Sequence, residues 1–153
     1  MTVAIEWKLW PFLILCLLAL GGGNARAETA EQCLARTLYF EARGDGTESM
    51  AAVAAVVMNR VRDTDFPDNP CAVVKQGGEK PPCQFSYWCD GKSDRPTDKE
   101  QWRRARSIAR KALKGDLENP VGGALYFHDD SVKAPFHDKR QYVKTVGSLR
   151  FYR

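Results

Sequence analysis

Histidine is scarce: the 153 residues hold two, His128 and His137. A zinc amidase or peptidase wants about three protein ligands, usually His with Asp or Glu. No H-E-x-x-H stretch occurs, and a metal site would have to use both histidines plus a carboxylate such as Asp138. No metal and no cofactor is therefore expected. A G-x-S-x-G elbow is missing as well, which removes the usual serine hydrolase. There are no internal repeats and no low-complexity segment. The chain also lacks the roughly 20 apolar residues that span a bilayer as a comfortable helix. Its longest apolar run, Leu9 to Leu20, is followed by three glycines and ends at Ala25-Arg26-Ala27. That is the small-x-small pattern of a secretory leader, so residues 1–27 are expected to be a signal peptide cleaved after Ala27. Its positive end is weak, with Lys8 opposed by Glu6, and an uncleaved N-terminal anchor is the alternative.

The remaining residues, 28–153, suit one domain with one core. The formal charge of +4 falls to +3 once Lys8, Arg26 and Glu6 are removed. That mild excess is compatible with an anionic polymer and does not demand one. Export argues against nucleic acid as a partner. Of five cysteines, Cys16 leaves with the leader. Cys33, Cys71, Cys83 and Cys89 remain, an even set in a chain bound for an oxidising compartment. Three pairings are possible and the sequence does not choose, although a short staple within Cys71–Cys89 is expected. Their spacing lacks paired C-x2-4-C knuckles, which argues against zinc. If all four are oxidised, no thiol is left for a cysteine peptidase.

Thr29-Ala-Glu-Gln32 has the form of a capping box. Ala30, Leu34, Leu38 and Glu41 follow at helical spacing, so an apolar stripe runs into a carboxylate, and Gly44 and Gly46 stop the helix. Thr47 is expected to cap a second helix, Glu48 to Arg62, whose Val, Met and Ala content suits a central position. Residues 71–96 suggest loops with a short β element. Thr97-Asp-Lys-Glu100 suggests another capping box, opening a helix from Asp98 to Lys114 that Gly115 ends. Trp102, Ala105, Ile108, Ala109, Ala112 and Leu113 form its apolar stripe. Arg103, Arg104, Arg106, Arg110 and Lys111 lie opposite, and such a run is usually a solvated face. Ala124 to His128 and residues 141–153 read as strands. The class is α+β, mainly helical, with a small β and loop region.

Glu41 is the candidate for chemistry. A carboxyl held against apolar groups has a raised pKa, which a general acid needs near neutral pH. An ion pair with Arg43 or Arg36 is the structural alternative, and on the residues alone it is the favoured one.

The chain resembles the spore-cortex-lytic, or cell-wall hydrolase, family of peptidoglycan-degrading enzymes, in the version found in Gram-negative bacteria. The resemblance runs through Leu34-Ala-Arg-Thr-Leu-Tyr-Phe-Glu-Ala-Arg-Gly44, Ala52-Val-Ala-Ala-Val-Val-Met-Asn-Arg-Val61 and Phe66-Pro67. It continues in Cys83-Gln-Phe-Ser-Tyr-Trp-Cys-Asp-Gly91, Ala124-Leu-Tyr-Phe-His128 and Val146-Gly147 to Phe151-Tyr152. It implies a lysozyme-like fold and a single catalytic glutamate at Glu41, acting on the bond between N-acetylmuramic acid and N-acetylglucosamine. Glycosidases ordinarily use two carboxylates. Asp45 and Asp90 are the nearest in the matched blocks and neither stands out, which favours a lytic transglycosylase. An N-acetylmuramoyl-L-alanine amidase and a non-catalytic wall-binding protein are the alternatives.

Gln84, Phe85 and Ser86 are candidates to line a glycan cleft, with a packed loop beside a disulfide as the rival. Asp90-Gly91 is as well explained by a turn. Tyr126 and His128 share one face of a strand and are candidates to face Glu41. Asn59 and Arg60 look structural. No separate peptidoglycan-binding repeat accompanies these blocks, so wall affinity is expected to come from the domain itself. An exported monomer of the periplasm or cell envelope, with no stable membrane span after leader cleavage, completes the expectation.

Overall fold

Residues 27–132, 134, 136 and 138–153 are described by a computed structural model of the chain. The expected leader lies outside the described residues except for Ala27, and so does His137. Among the described residues no helix is long and apolar enough to cross a membrane.

The first helix, α1, spans Ala30–Ala42 and opens on the expected capping box. The Gln32 amide donates to Thr29 Oγ1 at 3.2 Å, and the Thr29 amide donates back to Gln32 Oε1 at 2.9 Å. Its C-cap, Arg43, stays right-handed. Of the two expected stop glycines only Gly46 takes a positive φ, +88°. Gly46 is also the N-cap of α2, Thr47–Arg62, which has no side-chain cap. Thr47 therefore lies inside the first turn and does not cap it. Met50, Ala52, Val53, Ala54, Val56 and Val57 are fully buried. The small alanines let neighbours pack against α2 on several sides, as a central helix requires.

The expected loop and β region is instead two short helices, α3 (Pro70–Val74) and α4 (Ser86–Cys89), with no strand. Asn69 caps α3 by accepting from the Ala72 amide at 2.9 Å, and Pro70 sits where its missing N–H costs nothing. Two disulfides fasten the region, Cys33–Cys71 across 38 residues and Cys83–Cys89 across six. Helix α5, Lys99–Lys114, is capped by Asp98, whose carboxylate accepts from the Glu100 and Gln101 amides, so Thr97 is not its cap. The Thr97 amide instead donates to Tyr39 Oη at 3.1 Å. Gly115 ends α5 at φ +81°.

Strands β1 (Tyr126–Asp129), β2 (Tyr142–Val146) and β3 (Leu149–Tyr152) form an antiparallel sheet in the order β1-β3-β2. The first begins two residues later than its sequence pattern suggests. Phe127 and Phe151 pair across the ladder and stack at 5.7 Å, with Phe127 6.2 Å from the buried Phe85. The turn between β2 and β3 docks on the start of α2. A Cβ at Gly147 would come within 2.4 Å of Ser49 Oγ, so only glycine fits there. The result is the expected α+β domain, three main helices over a small sheet.

Candidate active site

Glu41 lies on the face of α1 that Leu34 and Leu38 bury completely. Its side chain is part-buried, and Oε1 is shut off from solvent with no hydrogen-bond partner among the described residues. Burial alone pushes its pKa from the ordinary 4.5 up to about 7. The ion-pair alternative fails because both arginines are taken. Arg36 pairs with Glu28 at 3.1 Å. Arg43 donates to Tyr39 Oη at 2.7 Å and lies 4.7 Å over that ring. An uncompensated carboxyl inside a fold costs stability, so its presence points to chemistry more than to packing.

Tyr87 of α4 is buried beside α1. Its ring stacks on Phe40 at 5.1 Å, and its hydroxyl lies 3.0 Å from Thr37 Oγ1. Thr37 spends its own proton on the Cys33 carbonyl at 3.1 Å, so Tyr87 is the donor. Burial pushes the Tyr87 phenol up, and the Glu41 charge adds to the effect, which places the two side chains within electrostatic reach. The Cys83–Cys89 bridge closes the loop that carries Tyr87. Tyr87→Ala should therefore admit water to Glu41 and lower its pKa. The alkaline limb of the pH–rate profile should move down by about one unit, while Tyr87→Phe leaves it within a few tenths. An unmoved limb in Tyr87→Ala would remove Tyr87 from this role.

None of Asp45, Asp129 and Asp90 matches Glu41. Asp45 Oδ2 accepts from the Ser148 amide at 3.2 Å and from Ser148 Oγ at 2.6 Å, tying the β2–β3 turn to the end of α1. Asp129 approaches the same hydroxyl at 3.1 Å, and hydrogen bonds from Ser131 hold it below the usual carboxylate range. Asp90 is exposed and accepts from the Lys92 amide at 2.8 Å, which is the turn role.

The expected sugar-facing residues divide. Gln84 and Ser86 are exposed on either side of Phe85, but Phe85 is 1% exposed. Its ring meets Phe127 and the Arg60 guanidinium, which lies 5.4 Å away. Phe85 thus anchors the segment from inside and does not offer its face to a sugar, which corrects the expectation. Tyr126 and His128 do share one face of β1, opposite Phe127. Tyr126 packs against Phe66 and Phe136 at 6.2 and 5.6 Å, under the Arg140 guanidinium at 3.4 Å. His128 stacks on Tyr152 at 5.3 Å, with Nδ1 2.7 Å from the Asp129 carbonyl and Nε2 3.0 Å from Tyr152 Oη. A carbonyl only accepts, so Nδ1 is the donor there. Among the described residues the ring contacts of both define an aromatic patch around Phe136 that does not include Glu41. Asn59 and Arg60 are structural, as expected. Asn59 donates to the Gly122 and Ala124 carbonyls, and Arg60 Nε donates to the Leu125 carbonyl at 2.8 Å. Sequence reasoning passes over Tyr87, whose signal is its place inside the short loop between two cysteines six apart.

A mainly helical domain over a three-stranded sheet, with one desolvated glutamate at the end of its first helix, has the form of a lysozyme-like glycan-cleaving domain. The chain belongs to the Cell Wall Hydrolase family, whose model matches residues 44–152. That match begins three residues after Glu41. Similar curated proteins are the spore cortex-lytic enzymes of Halalkalibacterium halodurans and Oceanobacillus iheyensis. The first is 33% identical over 121 residues, covering 78% of this chain and 33% of that protein. The second is 34% identical over 123 residues, covering 78% and 40%. The chain thus spans well under half the length of these relatives. Among solved structures it resembles the catalytic domain of the germination-specific lytic transglycosylase SleB from Bacillus anthracis. The TM-score is 0.67 at 27% identity, covering 85% of this chain and 98% of that one. The catalytic domain of Bacillus cereus SleB gives 0.65 at 26% identity, covering 87% and 100%. The fold is that of these catalytic domains, as the sequence resemblance implies.

Proposed function

We propose that the chain cleaves peptidoglycan glycan strands as a lytic transglycosylase, with Glu41 as sole acid and base. The observation that carries this reading is the Glu41 carboxyl, buried at Oε1, without a cation partner among the described residues and pushed up to about 7. In the protonated form it gives its proton to the oxygen linking N-acetylmuramic acid to N-acetylglucosamine, and that bond breaks. The resulting carboxylate takes the proton of the muramic 6-hydroxyl as this oxygen attacks the anomeric carbon. A 1,6-anhydro ring closes, Glu41 is again protonated, and no water is consumed. Direct hydrolysis would need a second carboxylate to activate water or attack the sugar, and Asp45 is engaged by Ser148. Family membership and the lytic transglycosylase description of the B. anthracis relative support the same reading.

Gln84 and Ser86, exposed beside the Tyr87 wall, are the proposed sugar contacts. Asp90, Tyr126 and His128 are retained as candidates further along the strand. We read residues 1–27 as a leader, and the two disulfides support an oxidising destination, for which the periplasm or cell envelope and a monomeric state are proposed. The test is mass spectrometry of muropeptides released from purified sacculi. Anhydro-muramic ends are expected. Reducing muramic ends in their place would make the reaction hydrolysis, and free stem peptides would make it an amidase.

A further inference from the structure

Helix α5 holds seven cations and one acid, more positive charge than all of residues 28–153 sum to, so the rest of that domain is net negative. Lys99, Arg103, Arg106, Arg110 and Lys114 recur at spacings of four, three, four and four. At 100° per residue they fall on one narrow stripe about 22 Å long. All five are exposed. Arg106 and Arg110 meet Glu31 at 2.8 and 3.1 Å. Among the described residues Lys99, Arg103 and Lys114 have no carboxylate partner.

The stripe runs alongside α1. At one end the Thr97 and Asp98 amides donate to Tyr39 Oη, and Arg43 donates to the same oxygen. From its middle onward Arg106 and Arg110 reach Glu31 in the first turn of α1. The two helices are therefore antiparallel neighbours. The line of charge runs beside α1, with its Lys99 end near Arg43. A polar hollow of about 340 Å³, lined by Thr29, Glu31, Gln32 and Arg106, opens beside its middle.

We propose that this stripe is a docking surface for peptidoglycan, engaging the free carboxylates of stem peptides on a glycan strand whose scissile bond lies at Glu41. The inference rests on the function proposed above. A linear, repeating polyanion matches a linear row of five exposed cations, three of them without a carboxylate partner among the described residues, and long-range attraction would raise the local concentration of strand on the protein. An anionic lipid surface fits less well. A helix lying on a membrane buries an apolar face in it, whereas Ala105, Ile108, Ala109 and Ala112 of α5 are already spent in the core.

The experiment is co-sedimentation of the full chain, as Glu41→Gln so that the wall is not digested, with purified sacculi. Adding Arg103→Glu and Lys114→Glu should weaken binding about tenfold at low ionic strength, and the deficit should shrink as salt screens it. Amidating the sacculus carboxylates should bring the parent down to the level of the reversed form. Equal binding by parent and reversed form would overturn the proposal. So would a loss confined to phosphatidylglycerol vesicles with sacculus binding intact. With Glu41 present, the same reversals should leave cleavage of a short soluble muropeptide unchanged. A wild-type chain that cleaves nothing would refute the proposed reaction, and sedimentation would still decide the docking surface.

Discussion

Glu41→Gln should lower the rate of sacculus digestion by roughly 10³–10⁴-fold, the upper range for a group acting as general acid and base, while making the folded chain more stable at alkaline pH. The two effects share one cause. In the wild type, burial raises the folded-state pKa of Glu41 from 4.5 to about 7. A group with a raised folded pKa takes up protons on folding, so its stabilising share is complete below pH 4.5 and is lost as pH climbs through 7. Above that point the wild type must bury a charge or break the site open. Glutamine is nearly isosteric and never ionises. Chemical denaturation should find the two forms alike near pH 4 and the variant ahead by up to about 3 kcal/mol above pH 8. Digestion at the wild-type rate would end the catalytic assignment. Equal stability across the pH range would mean that Glu41 is better solvated than its environment implies. Asp45→Asn is the internal control. It should cost anchoring of the β2–β3 turn and less than about tenfold in rate, because Asp45 is spent on Ser148.

The features legible in the sequence are those set by near neighbours. Thr29 and Gln32 cap each other across three residues, and the spacing of Leu34, Leu38 and Glu41 places the acid on the buried face. Its freedom from ion pairing is not legible, because that depends on Glu28 claiming Arg36 and Tyr39 claiming Arg43. The start of α5 departs from its sequence pattern for a similar reason. Thr97 and Glu100 have the spacing of a capping box, yet the Asp98 carboxylate can accept two amides at once, and the Thr97 amide is claimed by Tyr39, 58 residues away. The polar neighbours of Phe85 suggest an outward ring, yet Phe127 and Arg60 hold it inside. Helices α3 and α4 are too short for periodicity to reveal, and cross-links hold them where propensity would not.

Those cross-links should separate stability from chemistry, the second large effect expected. Cys33–Cys71 ties the first turns of α1 to α3 and closes a 38-residue span that contains all of α2. On the chain-entropy account, removing such a link costs about 4 kcal/mol, a large share of the roughly 5–15 kcal/mol that holds a domain folded. Cys33→Ala with Cys71→Ala should lower the denaturant midpoint accordingly, and the protein that remains folded should keep its pH–rate profile. Cys83–Cys89 closes only six residues, for which the same account gives about 2 kcal/mol. Those residues include Tyr87, whose phenol lies within electrostatic reach of the acid, together with Gln84 and Ser86. Cys83→Ala with Cys89→Ala should therefore do less to the midpoint and more to catalysis. As Tyr87 loosens, water reaches Glu41, its pKa falls, and the alkaline limb should shift down in the direction of Tyr87→Ala. The division fails if the long link moves the pH profile, or if the short one changes the midpoint alone. Either result would mean that the packing of α1 against α4, and not the six-residue loop, sets the desolvation of the acid.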